Sequence, residues 1–351
     1  MPQTWGMARP WVLHVDLDQF IAAVEVLRRP ELADRPVVVG GRGDPTERGV
    51  VSTASYEARA YGVGSGMPLR TAAKRCPEAV FLPVDAPAYE AASTQVMDTL
   101  RTFGVVVEVL GWDEAFLAVD TDDPEAFAAT VRARVLDATG LHSSVGIGDN
   151  KLRAKIATEL GKPRGTFRLT EENWYAVMAD RPTDALWGIG AKTAKRLAAL
   201  DIVTVRKLAE TPAALLAGQL GPTMGPWYRR LARGVDTSPV VGTPYVARSH
   251  SRETTFQHDL TDWAEVEAEL RTLARRAAAD VHSEGRAAAR VAVKVRFAPF
   301  DTHTRSLTLP EPTLDAARIE EAAVTLLHRF GAGRAVRLLG VRAEMVPPQE
   351  G

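Results

Sequence analysis

A chain of 351 residues is too long for one ordinary core and favours two to four compact units, and its 46% hydrophobic and 25% charged residues are those of a globular protein. The formal net charge of -1 neither requires nor forbids a nucleic-acid partner, because an acidic centre with basic flanks also sums to nothing. A single cysteine, Cys76, excludes an internal disulfide and a Cys-rich zinc site, and the seven histidines contain no pair at ligand spacing. The opening MPQTWGMARPW has no long apolar segment, and no run reaches the ~18 apolar residues of a membrane span. The expectation is a protein of the reducing cytoplasm.

In chain order, WVLHVDL and PVVVGG predict buried strands, and AYEAASTQVMDTLRTF predicts an amphipathic helix. VVVEVLGWDEAFLAVD predicts two strands meeting at a turn that carries Asp113 and Glu114, and PEAFAATVRARVLDAT is a further helix. HSSVGIGDNKLRAKIATELGKPRG runs from a strand through a Gly/Asp/Asn turn into a helix bearing Lys151, Arg153 and Lys155. From about Thr183 to Asp236 the pattern changes to short helices and tight turns. TSPVVGTPYV, with two prolines, a glycine and no helical period, predicts an extended linker. The remainder reads strand, helix, two or three strands, helix, strand.

The acids interrupt apolar runs. Asp16 and Asp18 stand at i and i+2, which on a strand puts both on one face. Buried carboxylates without a counter-charge are costly, and no cation lies beside these two in sequence, so a metal is the expected neutraliser. If the strand bearing Asp113 and Glu114 is a neighbour, three or four carboxylates converge. Such a set suits two divalent cations, with water and substrate phosphates completing each shell. A lone DxD also occurs in glycosyltransferases, nucleases and surface turns, so the second acidic pair matters. Phosphate-binding groups accompany it: Tyr56 and Arg59, three apart on one helix face, Thr53 just before them, and Lys155 after the GIGDN turn.

LWGIGAKTAKRLAALDIVTVRKLA has the form of a helix-hairpin-helix. Its turn, Gly188-Ile189-Gly190, would offer backbone N–H groups to a DNA phosphate without reading bases, with Lys192, Lys195 and Arg196 adding charge. Between Arg271 and Arg305 there are eight basic residues against three acids, and Arg290, Lys294 and Arg296 alternate along one predicted strand face. A basic sheet face suits a phosphate backbone.

VDLDQFIAAVE, STASYEARAYGV, GMPLRTAAKRCP, WDEAFL, VGIGDNKLRAKIA and LWGIGAKTAKRL, in this order, resemble the Y-family translesion DNA polymerases, specifically the DinB (DNA polymerase IV) branch. The resemblance implies an α+β multidomain right-hand polymerase: palm over 1–24 and 82–170, fingers 25–81, a helix-hairpin-helix thumb 171–236, linker 237–246 and an α/β little finger 247–346. It implies Asp16, Asp113 and Glu114 as catalytic metal ligands with the Leu17 carbonyl, for two Mg2+ ions or, as the alternative, Mn2+. Asp18 sits near the metals in relatives without being a principal ligand. Phe20, Ile21, Thr53, Tyr56, Arg59 and Lys155 match nucleotide-contacting positions. Gly188, Gly190, Lys192, Thr193, Arg290, Lys294 and Arg296 are the candidate DNA contacts. The partners implied are primer–template DNA and nucleoside triphosphates, with the chain acting as a monomer, with low fidelity and without proofreading.

Two departures from the family pattern stand out. The chain ends LGVRAEMVPPQEG, without the Gln-x-x-Leu-Phe-like peptide that docks on the sliding clamp, so clamp-dependent processivity is not expected. Ile21 replaces the usual Phe or Tyr, whose ring excludes a ribose 2′-hydroxyl by clash. That substitution predicts ribonucleotide use beside deoxyribonucleotide use. The competing readings are a two-metal nuclease or cyclase on a palm-like domain, which needs neither thumb nor basic C-terminal sheet, and a non-catalytic DNA-binding repair protein, which would not need its acids.

Overall fold

A computed structural model describes residues 11–348. The first ten residues, assigned above to the palm and to the absence of an apolar leader, lie outside the described residues, as do the last three of the terminal peptide. The chain divides into two compact units, Met1–Asp44 with Gly49–Pro244, and Pro45–Arg48 with Tyr245–Gly351.

The first unit is built on a five-stranded sheet in the order Val106–Val109, Glu114–Val119, Trp11–Leu17, Ser143–Gly148, Thr166–Leu169. All neighbours are antiparallel except the last pair. The central strand, Trp11–Leu17, is covered on both faces, which is why it reads as a continuous apolar run rather than an alternating one. Leu13, Val15 and Leu17 point into a core shared with Val96, Met97 and Leu100 of helix Ala86–Arg101 and Val131 and Val135 of helix Pro124–Thr139. Val12, His14 and Asp16 point the other way, toward helix Lys151–Gly161. That helix starts at Asn150, whose side chain accepts the N–H of Arg153 at 2.9 Å.

The helix lies unusually close to the sheet. A Cβ at Gly146 would stand 1.9 Å from the Ala154 carbonyl oxygen and 2.3 Å from the Thr158 nitrogen. One at Gly148 would stand 2.5 Å from the Ala154 nitrogen. The alternating glycines of SSVGIG are therefore the condition for bringing the lysines of this helix to the strand end.

A small sheet, Thr53–Ala54, Val37–Val39 and Val80–Leu82, packs with helices Tyr56–Ala60 and Leu69–Arg75 around Val38, Val51, Ala58 and Leu69. Five short helices between Trp174 and Ala232 share a core containing Trp174, Leu197, Leu208, Leu216 and Leu231. Thr237–Pro244 forms neither helix nor strand but is held down: the Val241 N–H donates to the Glu108 carboxylate at 2.7 Å, and Val240 packs on Val12 and Phe116.

The second unit is a four-stranded antiparallel sheet in the order Asp301–Thr313, Ala288–Phe297, Val336–Met345, Ser249–Leu260. Helices Trp263–Glu284 and Ala316–His328 cover one face, packing Val266, Leu270, Leu273, Ile319 and Leu327 on Val291, Val293, Val295 and Val341. The other face bears the alternate residues of each strand. No helix among the described residues is long and apolar enough to cross a membrane.

Candidate active site

The register brings the acids together. Asp16 lies directly opposite Glu114 in the antiparallel pair, and the Leu17 N–H donates to the Asp113 carbonyl at 2.9 Å, locking the two acid-bearing turns side by side. Asp16 is buried, while Asp113 and Glu114 are partly accessible. Burial pushes the Asp16 carboxyl up to about 6 against the pull of Lys162, and it also raises Asp113, helped by the neighbouring Glu114 charge.

Glu114 is the contrast. Its Oε2 lies 3.2 Å from His14 Nε2 and is also bound by the Lys155 ammonium. These donors hold its carboxyl down to about 2. Burial takes His14 down to about 4, so at neutral pH it is an uncharged imidazole and not an ionic partner. A carboxylate only accepts, so Nε2 carries the hydrogen toward Glu114, and Nδ1 accepts from the Thr158 hydroxyl at 2.8 Å.

The sequence reading of the cations needs correction. No cation is adjacent in sequence, yet helix Lys151–Gly161 and the residue after it deliver two: Lys155 on Glu114, and Lys162 with Nζ 2.9 Å from Asp16 Oδ1. Lys162 went unnoticed; its only signal was its place in GKPRG at the end of that same helix.

Asp18 also departs from expectation. The strand stops at Leu17, and Gln19 adopts the left-handed region (φ 46°), so the i, i+2 rule no longer applies. Asp18 turns away from Asp16 and accepts from the Tyr56 hydroxyl at 2.8 Å, the Ser144 hydroxyl at 2.9 Å and the Arg164 N–H at 2.9 Å. It is a fully engaged anchor that ties the helix of Tyr56 to the strand end. Gln19 adds a second tie, its side-chain oxygen accepting the Tyr56 N–H.

Tyr56 and Arg59 do share a face, the guanidinium lying 5.0 Å from the ring centroid, with Arg59 Nε donating to the Ala54 carbonyl at 2.9 Å. Thr53 is half-buried in the adjoining strand. Ile21 is half-buried at the start of helix Phe20–Arg28 and packs on the edge of the core, into which Phe20 is turned beside Leu17 and Val24.

Elsewhere, Gly188, Gly190 and Lys192 are exposed and Thr193 is half-buried. The Thr193 and Ala194 N–H groups are taken by the Gly190 carbonyl as helix Ala191–Ala198 begins. The element before the turn is a single 3-10 turn, Thr183–Ala185, in place of a full first helix. Arg290, Lys294 and Arg296 lie on the open face of their sheet but are not bare. Arg290 bonds Ser306 at 2.5 Å, Lys294 bonds Glu253 at 2.7 Å and Arg296 bonds Thr302 at 2.8 Å.

The donor set fits a hard divalent cation. His14, Asp16 and Glu114 bring ligand atoms within 4.8 Å of one another, with Asp113 alongside. Burial, with a smaller push from neighbouring acids, raises the Asp16 and Asp113 carboxyls against the pull of the lysines, and a cation would favour their charged forms. Because the His14 nitrogens already serve Glu114 and Thr158, the ligands left are oxygens.

A buried acidic centre at a strand end with cationic side chains beside it fits metal-dependent phosphate chemistry, and the solved structures that the fold matches make the class a Y-family polymerase. Comparison with known proteins gives the branch. The impB/mucB/samB family matches residues 15–159 and its C-terminal domain matches residues 247–351. DNA polymerase IV 2 of Mycobacterium tuberculosis is 53% identical over 339 residues, covering 95% of this chain and 98% of the relative. DNA polymerase IV of Methanoculleus marisnigri is 42% identical over 344 residues, covering 95% and 94%. A Y-family DNA polymerase chimera of Dbh and Dpo4 superposes with a TM-score of 0.85 at 27% identity over 96% of this chain and 100% of its own. An insertion ternary complex of Dbh DNA polymerase gives 0.67 at 27% identity over 97% and 100%. The chain belongs to the DinB, or DNA polymerase IV, branch of the Y-family: it is a DNA-directed DNA polymerase of the translesion kind.

Proposed function

We propose that this polymerase inserts ribonucleotides as well as deoxyribonucleotides when it extends a primer, and the observation that carries the reading is Ile21, half-buried one residue into the helix that follows the acid-bearing turn. A flat ring at this position would exclude a 2′-hydroxyl by contact. A branched aliphatic chain has no ring to oppose it, and an apolar wall rejects an added hydroxyl by only about 10²-fold.

In this reading Asp16, Asp113, Glu114 and the Leu17 carbonyl hold two divalent cations, Mg2+ or Mn2+, which when bound supply neutralisation of phosphate charge and a more acidic primer hydroxyl. The chain itself contributes placement. Tyr56, Arg59, Thr53, Lys155 and Lys162 surround the triphosphate, and the Asp18 anchor fixes Tyr56 relative to Asp16. The side chain of Phe20 serves the core, leaving Ile21 as the residue that meets the sugar. The Gly188–Gly190 turn with Lys192 and Thr193, and the sheet face of Arg290, Lys294 and Arg296, hold DNA phosphates. The assignment of palm, fingers, thumb, linker and little finger given above belongs to the same proposal.

Single-nucleotide insertion of dATP and ATP opposite thymine, on a primer–template, tests it. The expected preference for dATP in kcat/KM is within about 10²-fold, and Ile21→Phe should widen it at least tenfold by impairing ATP. A preference of thousands in the unaltered enzyme, or a ratio indifferent to Ile21→Phe, would overturn the reading.

A further inference from the structure

The open face of the second unit's sheet has a hollow in it. In one row of the register Lys294 is followed by Gly340 and then Glu253; in the next, Ala292 is followed by Arg342 and then Ser251. Ala292 and Gly340 are too small to fill their rows, and they floor a depression of about 220 Å3 rimmed by Lys294, Arg342, Ser251 and Thr304. Two cations and two hydroxyls around a flat floor make a cradle for a tetrahedral oxyanion.

An anion already lies in it. Lys294 reaches over Gly340 to place Nζ 2.7 Å from Glu253 Oε2. A Cβ at position 340 would come within 3.2 Å of that same oxygen, a tight contact that glycine there avoids. Arg342 is occupied in the same manner by Glu344, at 2.5 Å.

We propose that Glu253 is a built-in competitor for a DNA backbone phosphate at Lys294: its carboxylate fills the cradle in the DNA-free protein and must leave when DNA arrives. The inference rests on the reading of this face as a DNA surface. The pair is part-exposed on both sides, so it contributes at most about 1 kcal/mol, which is up to about fivefold in DNA affinity. The competitor therefore tunes binding without abolishing it, and it changes the ion count. With the Glu253 charge still beside it Lys294 neutralises only part of a phosphate, whereas without Glu253 it displaces a full counterion from the DNA.

Fluorescence anisotropy with a primer–template duplex and the full chain decides the matter, over a salt series. Glu253→Gln should tighten binding about two- to fivefold and steepen the slope of log K against log salt by up to about 0.9. Glu311→Gln, an exposed acid elsewhere on the same sheet, measures the effect of lost charge alone and should fall short of that gain. In a Lys294→Gln background the Glu253→Gln gain should vanish. If Lys294→Gln weakens binding while Glu253→Gln binds as the parent does, or gains equally without Lys294, the competitor is wrong and the DNA surface stands. If Lys294→Gln leaves affinity and salt slope unchanged, the DNA surface itself is wrong and the competitor falls with it.

Discussion

His14 is the most deeply buried titratable group of the acidic centre, 1% exposed, and its consequence is thermodynamic. Its folded pKa of about 4 lies below the ordinary 6.5, so between those values the unfolded chain binds a proton that the folded chain refuses. Stability from this group is complete above about pH 6.5 and is lost as pH falls toward 4, a loss on the order of 2 kcal/mol by pH 4.5. Asp16, raised to about 6, has the opposite sign: the folded chain binds the proton first, and stability rises as pH falls through the window from 6 to 3.8. The two offset each other in the unaltered protein, so the informative quantity is a difference. In urea unfolding without divalent cations, the stability of the parent relative to His14→Phe should decline by on the order of 2 kcal/mol between pH 7.5 and 4.5. A constant difference would place the proton elsewhere.

At the scale of elements, the centre depends on how closely one helix can approach one strand. Gly146→Ala would set a methyl 1.9 Å from the Ala154 oxygen and 2.3 Å from the Thr158 nitrogen, both backbone atoms that no rotamer change can move. Helix Lys151–Gly161 must then back away, and the expected loss is at least about 3 kcal/mol of stability, measured by urea unfolding. Lys155, Lys162 and the Thr158 hydroxyl ride on or just after that helix, so insertion kinetics should fall with it, well beyond what partial unfolding explains. This dependence was half legible in advance. The strand and the helix are written in HSSVGIG and NKLRAKIATEL, by apolar continuity and then by the Asn150 cap. That the glycines serve contact, rather than a turn, is visible only when the helix is laid on the sheet. The convergence of Asp16 with Glu114 followed from two interrupted apolar runs. The turning away of Asp18 did not, because nothing in DLDQF announces that Gln19 takes a left-handed conformation. Lys162 was invisible for the plainest reason: its partner Asp16 is remote in sequence, and pairing across such a distance leaves no local pattern.

At the scale of the whole molecule, a net charge of -1 proves to be a local property as well as a total. Glu114 sits on Lys155, Asp16 on Lys162, Glu253 on Lys294 and Glu344 on Arg342. Composition revealed the acids and the basic run but not these four pairings, each of them within one unit. Each unit also has its own core, one around Leu13 and Val15, the other around Val293 and Val341, so neither owes its folding to a bound ion. Stripping divalent cations with a chelator should leave both units folded and lower the melting temperature by no more than the few degrees that binding to the native centre adds. A fall of many degrees would make the ion a structural part.

The bridges to Asp16 and Glu114 also tie two strands to a single stretch of chain. Lys155 and Lys162 lie seven residues apart in sequence and answer acids that stand opposite each other on neighbouring strands, so any shift of this segment is felt by both carboxylates at once.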